Sequence, residues 1–398
     1  MANKTNIEIN GKDYFRVSCS VGIDSNGKRI RKTFYGRSKK EAEKKKNEYL
    51  NNLQLGLSPD ISKIYLGTMM KTWLFEVVRV SNNIKPATFV RYEGIYRNYI
   101  KDSPIEALNL SSIKSIQIQR YYNDLYSNKD EKKRKSSCQI RTLNKLLKQF
   151  FNYAVEEGYI LKNPCQGKRV VIPGDVDVNK KEVQVFTDNE LKKIFNADEN
   201  TIIKYMATIC ACTGIRRGEC LGLNWSDLDE VNNTISIKRT VSTVTFIDDN
   251  GDRTLKTIVQ IPKTAGSVRT IPLPKSLVPI FKKLKVMKKK KKIRAGSSYS
   301  NEYDDFIFLT ETGNLIDDRN LSRAWKRFLE RINVDYKKFH SLRHTYATKQ
   351  FEGNTPLKTV SELLGHTDIY ITANTYTHVL KEHKEKSIDI FSTINVIN

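Results

Sequence analysis

The residues best suited to chemistry in this sequence fall between His340 and Tyr376, where His340, Arg343, His344 and His366 precede the Tyr376 phenol. Far upstream, Thr213-Gly-Ile-Arg-Arg-Gly-Glu219 adds the guanidiniums of Arg216 and Arg217. Arginine carries donors only and is no metal ligand, so this mixture does not describe a metal centre. It suits a site that grips a phosphate diester and attacks it with a phenolate. A tyrosine that stays bonded to phosphorus conserves the bond energy and splits one hard step into two reversible ones. A phenol has a pKa of about 10 and needs help to ionise. Two guanidiniums can hold the non-bridging oxygens bidentately as charge develops. A lysine or histidine can then protonate the leaving 5′ oxygen, and another imidazole can assist proton removal from the tyrosine. Neither metal nor cofactor is required. His340 and Arg343, three apart, share a helix face, whereas the neighbours Arg343 and His344 do not.

The elements that must position these groups can be read from pattern. Asp13–Val21 and Lys28–Tyr35 alternate apolar and polar residues around the turn Asp24-Ser-Asn-Gly27, which predicts a small three-stranded sheet. Ser38-Lys-Lys-Glu41 has the form of a capping box and starts a lysine-rich helix. Between residues 65 and 160 the apolar spacing is helical and predicts a four-helix bundle. Leu143, Leu146, Leu147, Phe150, Phe151 and Ala154 mark one buried face, and Gly158 with Asn163-Pro164 ends the last helix. Arg91, Lys101, Arg134, Lys135, Arg141 and Lys145 form the candidate DNA-facing set of that bundle. Residues 165–182 are polar and punctuated by glycine and proline, and read as an interdomain linker. Thr187-Asp-Asn-Glu190 caps the first helix of the last domain. An apolar helix, Ile202–Cys212, then delivers Gly214 and Arg216. A β region follows from Thr234 to Leu273, then a basic helix over 276–294, and further helices from Asp317 to Tyr376.

The chain has 398 residues, too many for one ordinary core. With 39% hydrophobic and 28% charged residues and no apolar run long enough to span a bilayer, it reads as soluble and without a membrane partner. Its six scattered cysteines show no recurrent metal spacing, and Cys210-Ala-Cys212 reads as buried thiols in a cytoplasmic protein. A net charge of +25 calls for a polyanionic partner, with nucleic acid first.

Thr213-Gly-Ile-Arg-Arg-Gly-Glu-Cys-Leu-Gly-Leu-Asn-Trp-Ser-Asp227, His340-Ser-Leu-Arg343, Leu364-Gly-His366 and Tyr376-Thr-His378 together resemble the signature boxes of the tyrosine recombinases, or phage-type integrases. The resemblance covers nearly the whole chain up to about residue 385. It implies a multidomain, mainly α protein. Residues 1–58 would be a sheet-plus-helix arm-site DNA-binding domain, 62–168 a helical core-binding domain, 180–386 an α+β catalytic domain, and 387–398 a tail.

By motif, the resemblance makes Arg216, rather than Arg217, and Arg343 the phosphate-clamping arginines. His340 becomes the proton-transfer histidine, His366 the last histidine and Tyr376 the nucleophile, with Glu219 as a supporting acid. Lys263, in Pro-Lys-Thr, takes the place of the hairpin lysine, with Lys256 as a rival. Tyr370 and His378 are decoys, and Cys220 replaces a bulkier aliphatic residue. The implied activity is site-specific recombination through a 3′-phosphotyrosyl intermediate, integrating or excising a prophage or conjugative element in a bacterial cytoplasm. Implied partners are double-stranded DNA core and arm sites, a homo-tetramer on DNA, and DNA-bending and directionality factors. The segment after Tyr376 would dock on a neighbouring protomer. Two other classes fit less well: a catalytically silent DNA-binding homologue, and a type IB topoisomerase.

Overall fold

The structure is a computed structural model that describes residues 7–23, 29–54, 64–174, 183–199, 201–261 and 268–376. The chain divides into two compact units, Met1–Val178 and Asn179–Asn398.

The first unit opens with strands β1 (Ile7–Ile9), β2 (Lys12–Ile23) and β3 (Arg29–Gly36) in an antiparallel sheet of that order, followed by helix α1 (Lys39–Gln54). Val17 pairs with Phe34, whose ring lies 5.3 Å from that of Tyr49 on α1, so the helix covers one face. The opposite face presents Arg16 paired with Tyr35, Ser18 with Thr33, and Ser20 with Arg31. Ser38 accepts from the Glu41 N–H at the start of α1, while the Glu41 carboxylate reaches back to the Arg37 N–H. The expected turn at 24–27 lies outside the described residues.

Helices α2 (Leu66–Thr72), α3 (Pro86–Tyr99), α4 (Ser115–Tyr126) and α5 (Ser137–Glu156) form the bundle. The first continues from Trp73 to Val78 as a π-helical turn, which residue spacing did not announce. Ser136 and Gln139 cap α5 reciprocally, and all six residues expected on its inner face are buried. Trp73 packs on Phe150 at 5.6 Å. The candidate DNA-facing residues are exposed, except Lys135, which lies half-buried over the Tyr99 ring. The first part of the expected linker is not free chain. Cys165 and Val170 are buried, Gln119 bonds the backbone of Val171 in both directions, and Ser137 donates to the Pro173 carbonyl.

In the second unit, helices α6 (Asp188–Asn196), α7 (Ile202–Thr213) and α8 (Arg217–Leu221) precede the strands β4 (Leu228–Asp229), β5 (Thr234–Ile237), β6 (Thr240–Ile247), β7 (Arg253–Gln260) and β8 (Arg269–Pro272). They form two small antiparallel sheets, β4-β5-β8 and a β6-β7 ribbon. Helices α9 (Val278–Ala295), α10 (Asp318–Arg331), α11 (Ser341–Glu352), α12 (Leu357–Leu364) and α13 (Ile369–Thr375) follow. The core runs from Phe186 through α7 to Trp325, Phe328 and Leu342. Cys210 and Cys220 are both buried in it, so the smaller residue at 220 is accommodated without opening that side to solvent.

Candidate active site

Helix α7 ends on Gly214, which adopts φ +68°. A Cβ there would fall 2.4 Å from Tyr346 and 3.0 Å from Leu364, so both the left-handed backbone and the close approach require glycine. This turn does two things. Its carbonyl accepts from Arg343 Nη1 at 2.8 Å, and it swings the chain so that Arg216 becomes the N-cap of α8. Arg343 is itself 3% exposed on α11, and among the described residues its Nη2 has no hydrogen-bond partner.

Arg216 is held by Glu219, with Nη1 at 2.7 Å, while its Nη2 donates to the Gly365 carbonyl at 3.2 Å. Gly365 ends α12 with φ +66°, and a Cβ there would meet Arg269 Nη1 at 2.7 Å. Arg269, at the start of β8, donates to both Glu219 oxygens at 2.8 and 3.3 Å and to the Leu363 carbonyl at 3.0 Å. Burial alone would push the Glu219 carboxyl up, but Arg269 and then Arg216 outweigh it and hold the carboxyl down at about 2. One carboxylate thus orients two arginines beside a third. Arg343 feels that excess: burial, then the charge of Arg216, pulls its pKa down to about 9. It remains a cation at neutral pH, within reach of the charges of Arg216 and Arg269.

Three imidazoles feel the charge of Arg343. His340 is the N-cap of α11 and keeps one side open to solvent. Desolvation by the protein around it, followed by Arg343 and Arg216, lowers its pKa. His366 follows the Gly365 turn, and its Nδ1 lies 2.7 Å from the hydroxyl of the fully buried Thr372. Burial, then Arg343 and Arg216, pushes His366 down to about 4. His344 is stacked edge-on against His340, with ring centroids 4.8 Å apart. Its Nδ1 is 2.8 Å from the Tyr376 hydroxyl.

Tyr376 is the C-cap of α13, and its N–H donates to the Thr372 carbonyl. It is 1% exposed, packed on Phe351 within a cluster that includes Ala347, Val360 and Leu364. Burial raises its pKa well above the phenol value, and the Arg343 charge only partly counters this.

Residues 184–383 match the phage integrase family, and residues 65–126 match the phage integrase N-terminal SAM-like domain. A "Tyrosine recombinase XerC-like" protein of Caldanaerobacter subterraneus subsp. tengcongensis is 51% identical over 396 residues, spanning 99% of this chain and 100% of that protein. The chain belongs to the phage integrase family. It is a tyrosine recombinase, a site-specific recombinase of DNA. The integrase of Staphylococcus phage L54a is 27% identical over 360 residues, covering 85% of this chain and 95% of that protein. Among solved structures, the Tn1549 transposon integrase in complex with a circular intermediate DNA superposes with a TM-score of 0.63. That match has 19% identity, covers 81% of this chain and 99% of that one, and shows a shared fold.

Within this recombinase, Arg216, His340, Arg343, His366 and Tyr376 lie in one neighbourhood. Arg217 is engaged elsewhere: it pairs with Asp318 at 2.6 Å and Ser322 at 2.8 Å, tying α8 to α10. Tyr370 is 70% exposed on α13, away from the cluster around Tyr376. Lys263 and His378 lie outside the described residues, as does the expected C-terminal docking segment. Lys256 is exposed on β7, over the Phe246 ring.

Two contacts of the site carry no signal in the sequence, His344 with Tyr376 and Arg269 with Glu219. His344 adjoins Arg343 and does not share its face, but it is four residues from His340 and stacks on that ring. Arg269 follows the Pro-Lys-Thr motif in the sequence, but its pairing with Glu219, 50 residues away, has no local signal.

Proposed function

We propose that this recombinase integrates or excises a mobile element by cutting and rejoining DNA through a 3′-phosphotyrosyl bond at Tyr376. Arg216 and Arg343 clamp the non-bridging oxygens of the scissile phosphate, with His366 and His340 beside them. As the Tyr376 oxygen bonds phosphorus, the P–O5′ bond breaks and the 5′ oxygen takes up a proton. Lys263, on the segment between β7 and β8, is the proposed donor. Attack by a 5′-hydroxyl from a partner strand reverses the step and joins the new duplex. The observation that carries this reading is the buried Arg343, whose Nη2 has no hydrogen-bond partner among the described residues, within reach of the charge of the Glu219-held Arg216.

The working unit is a tetramer on core-type DNA in the cytoplasm, assisted by DNA-bending and directionality factors. Residues 62–168 and 180–386 hold the crossover site. The exposed face of the N-terminal sheet, with Arg16, Arg31 and Tyr35, holds distal arm sites, as β-sheet readers of the major groove do.

The test starts from duplexes selected by full-length protein from a randomised pool. Nicked versions are incubated with the protein in the presence of a chelator. A denaturant-resistant adduct that disappears with Tyr376→Phe is the expected outcome. Tight, site-specific binding without any adduct would instead mark a silent DNA-binding homologue, and relaxation of any supercoiled plasmid would mark a topoisomerase.

A further inference from the structure

We propose that His344 is the base that accepts the proton of Tyr376 as the phenol attacks, and that it also fixes where that hydroxyl waits. The inference rests on the reading of Tyr376 as the nucleophile. Its ground is geometric. Among the described residues, His344 is the histidine whose ring nitrogen meets the Tyr376 oxygen, at 2.8 Å. His366 has its Nδ1 engaged with Thr372, and His340 faces solvent. The His344 ring is fixed on two sides, by His340 at 4.8 Å and by the Tyr376 ring at 5.8 Å.

The surroundings decide the protonation state. Burial, then the charges of His340 and Arg343, pushes His344 down to about 4. At neutral pH it is therefore an uncharged imidazole with one bare nitrogen, able to accept. A phosphodiester held on Arg343 places negative charge where it opposes that guanidinium. The base accordingly strengthens once DNA is in place, and the phenol is not ionised wastefully in its absence. In the step itself, the Tyr376 proton moves to His344 Nδ1 as the Oη–P bond forms. The P–O5′ bond breaks, and the 5′ oxygen is protonated by a different group. On rejoining, the imidazolium returns the proton to the tyrosine oxygen.

Full-length wild type, His344→Asn, His344→Ala and Tyr376→Phe are compared on a selected nicked duplex with either an ordinary 5′-bridging oxygen or a 5′-bridging sulfur. A thiolate leaves without needing a proton, so the sulfur substrate isolates events at the nucleophile. Asparagine can still accept a hydrogen bond near the Nδ1 position but takes no proton. Both His344 variants should form adduct about 10²-fold more slowly on both substrates, with unchanged affinity for the duplex. A fluorinated tyrosine at position 376, whose phenol is more acidic, should restore His344→Asn.

If His344→Asn cleaves as fast as wild type, His344 is not the base. If sulfur alone restores it, His344 acts on the leaving group, and the proposal falls. If the fluorinated tyrosine fails to restore it, the defect is structural and the proposal again falls. An adduct with Tyr376→Phe would overturn the nucleophile reading itself, which separates the two failures.

Discussion

Glu219 and Arg269 meet through two hydrogen bonds, and the same carboxylate holds Arg216 at 2.7 Å. The pair has side chains 12% and 9% exposed, so removing one partner strands a buried charge. Such losses cost about 3–5 kcal/mol. Glu219→Ala should lower the unfolding free energy of the catalytic unit, read from its urea midpoint, by that order and abolish the covalent adduct. An unchanged midpoint would mean that the pair holds nothing together.

Acid should act on the same region in a defined window. His344 and His366 have folded pKa values of about 4, against an ordinary 6.5. Between those limits the unfolded chain binds the protons and the folded chain does not. Stability therefore falls as pH drops from about 6.5 towards 4. Urea midpoints of wild type and His366→Gln, measured across that range, should converge at the acid end. Parallel curves would show that His366 is not held neutral by the fold.

Gly214→Ala should destabilise by more than about 1 kcal/mol, because its φ of +68° and its approach to Tyr346 both exclude a Cβ. The backbone shift also moves the carbonyl that holds Arg343. Adduct formation should thus fall further than thermal stability alone explains. Comparing rates at a temperature where the variant is fully folded tests this.

Thr372→Val keeps the shape of the buried residue and removes the hydroxyl beside His366. One lost hydrogen bond of about 1 kcal/mol corresponds to roughly fivefold in rate. Adduct formation should slow by that order with duplex affinity unchanged, and Thr372→Ser should recover it. Equal rates for Val and Ser would remove Thr372 from the site.

The face of the N-terminal sheet opposite α1 should bind DNA through phosphate contacts. Each such contact adds about 0.9 to the slope of log affinity against log salt. Arg31→Ala should reduce the slope on arm-type duplexes by about that amount and leave core-duplex cleavage unchanged. A slope that does not move would assign that face to something other than DNA.

What the sequence determined by itself was local or periodic. The inner face of α5 and the capping pairs Ser136–Gln139 and Thr187–Glu190 depend on neighbours within a few residues, where spacing is sufficient. The convergence of Arg216, His340, Arg343, His366 and Tyr376 was legible because the residue types fit one chemistry in order along the chain. Tertiary structure alone decided the rest. Glu219 on α8 and Arg269 on β8 meet only through the tertiary fold, 50 residues apart in sequence. His344 meets Tyr376, 32 residues on, only because α12 and α13 fold back over α11. The tyrosine's burial follows from packing on Phe351 and Leu364, which no spacing of phenols and imidazoles encodes. Long-range contacts are set by how whole faces bury, and a linear pattern names the residues without saying which of them will touch.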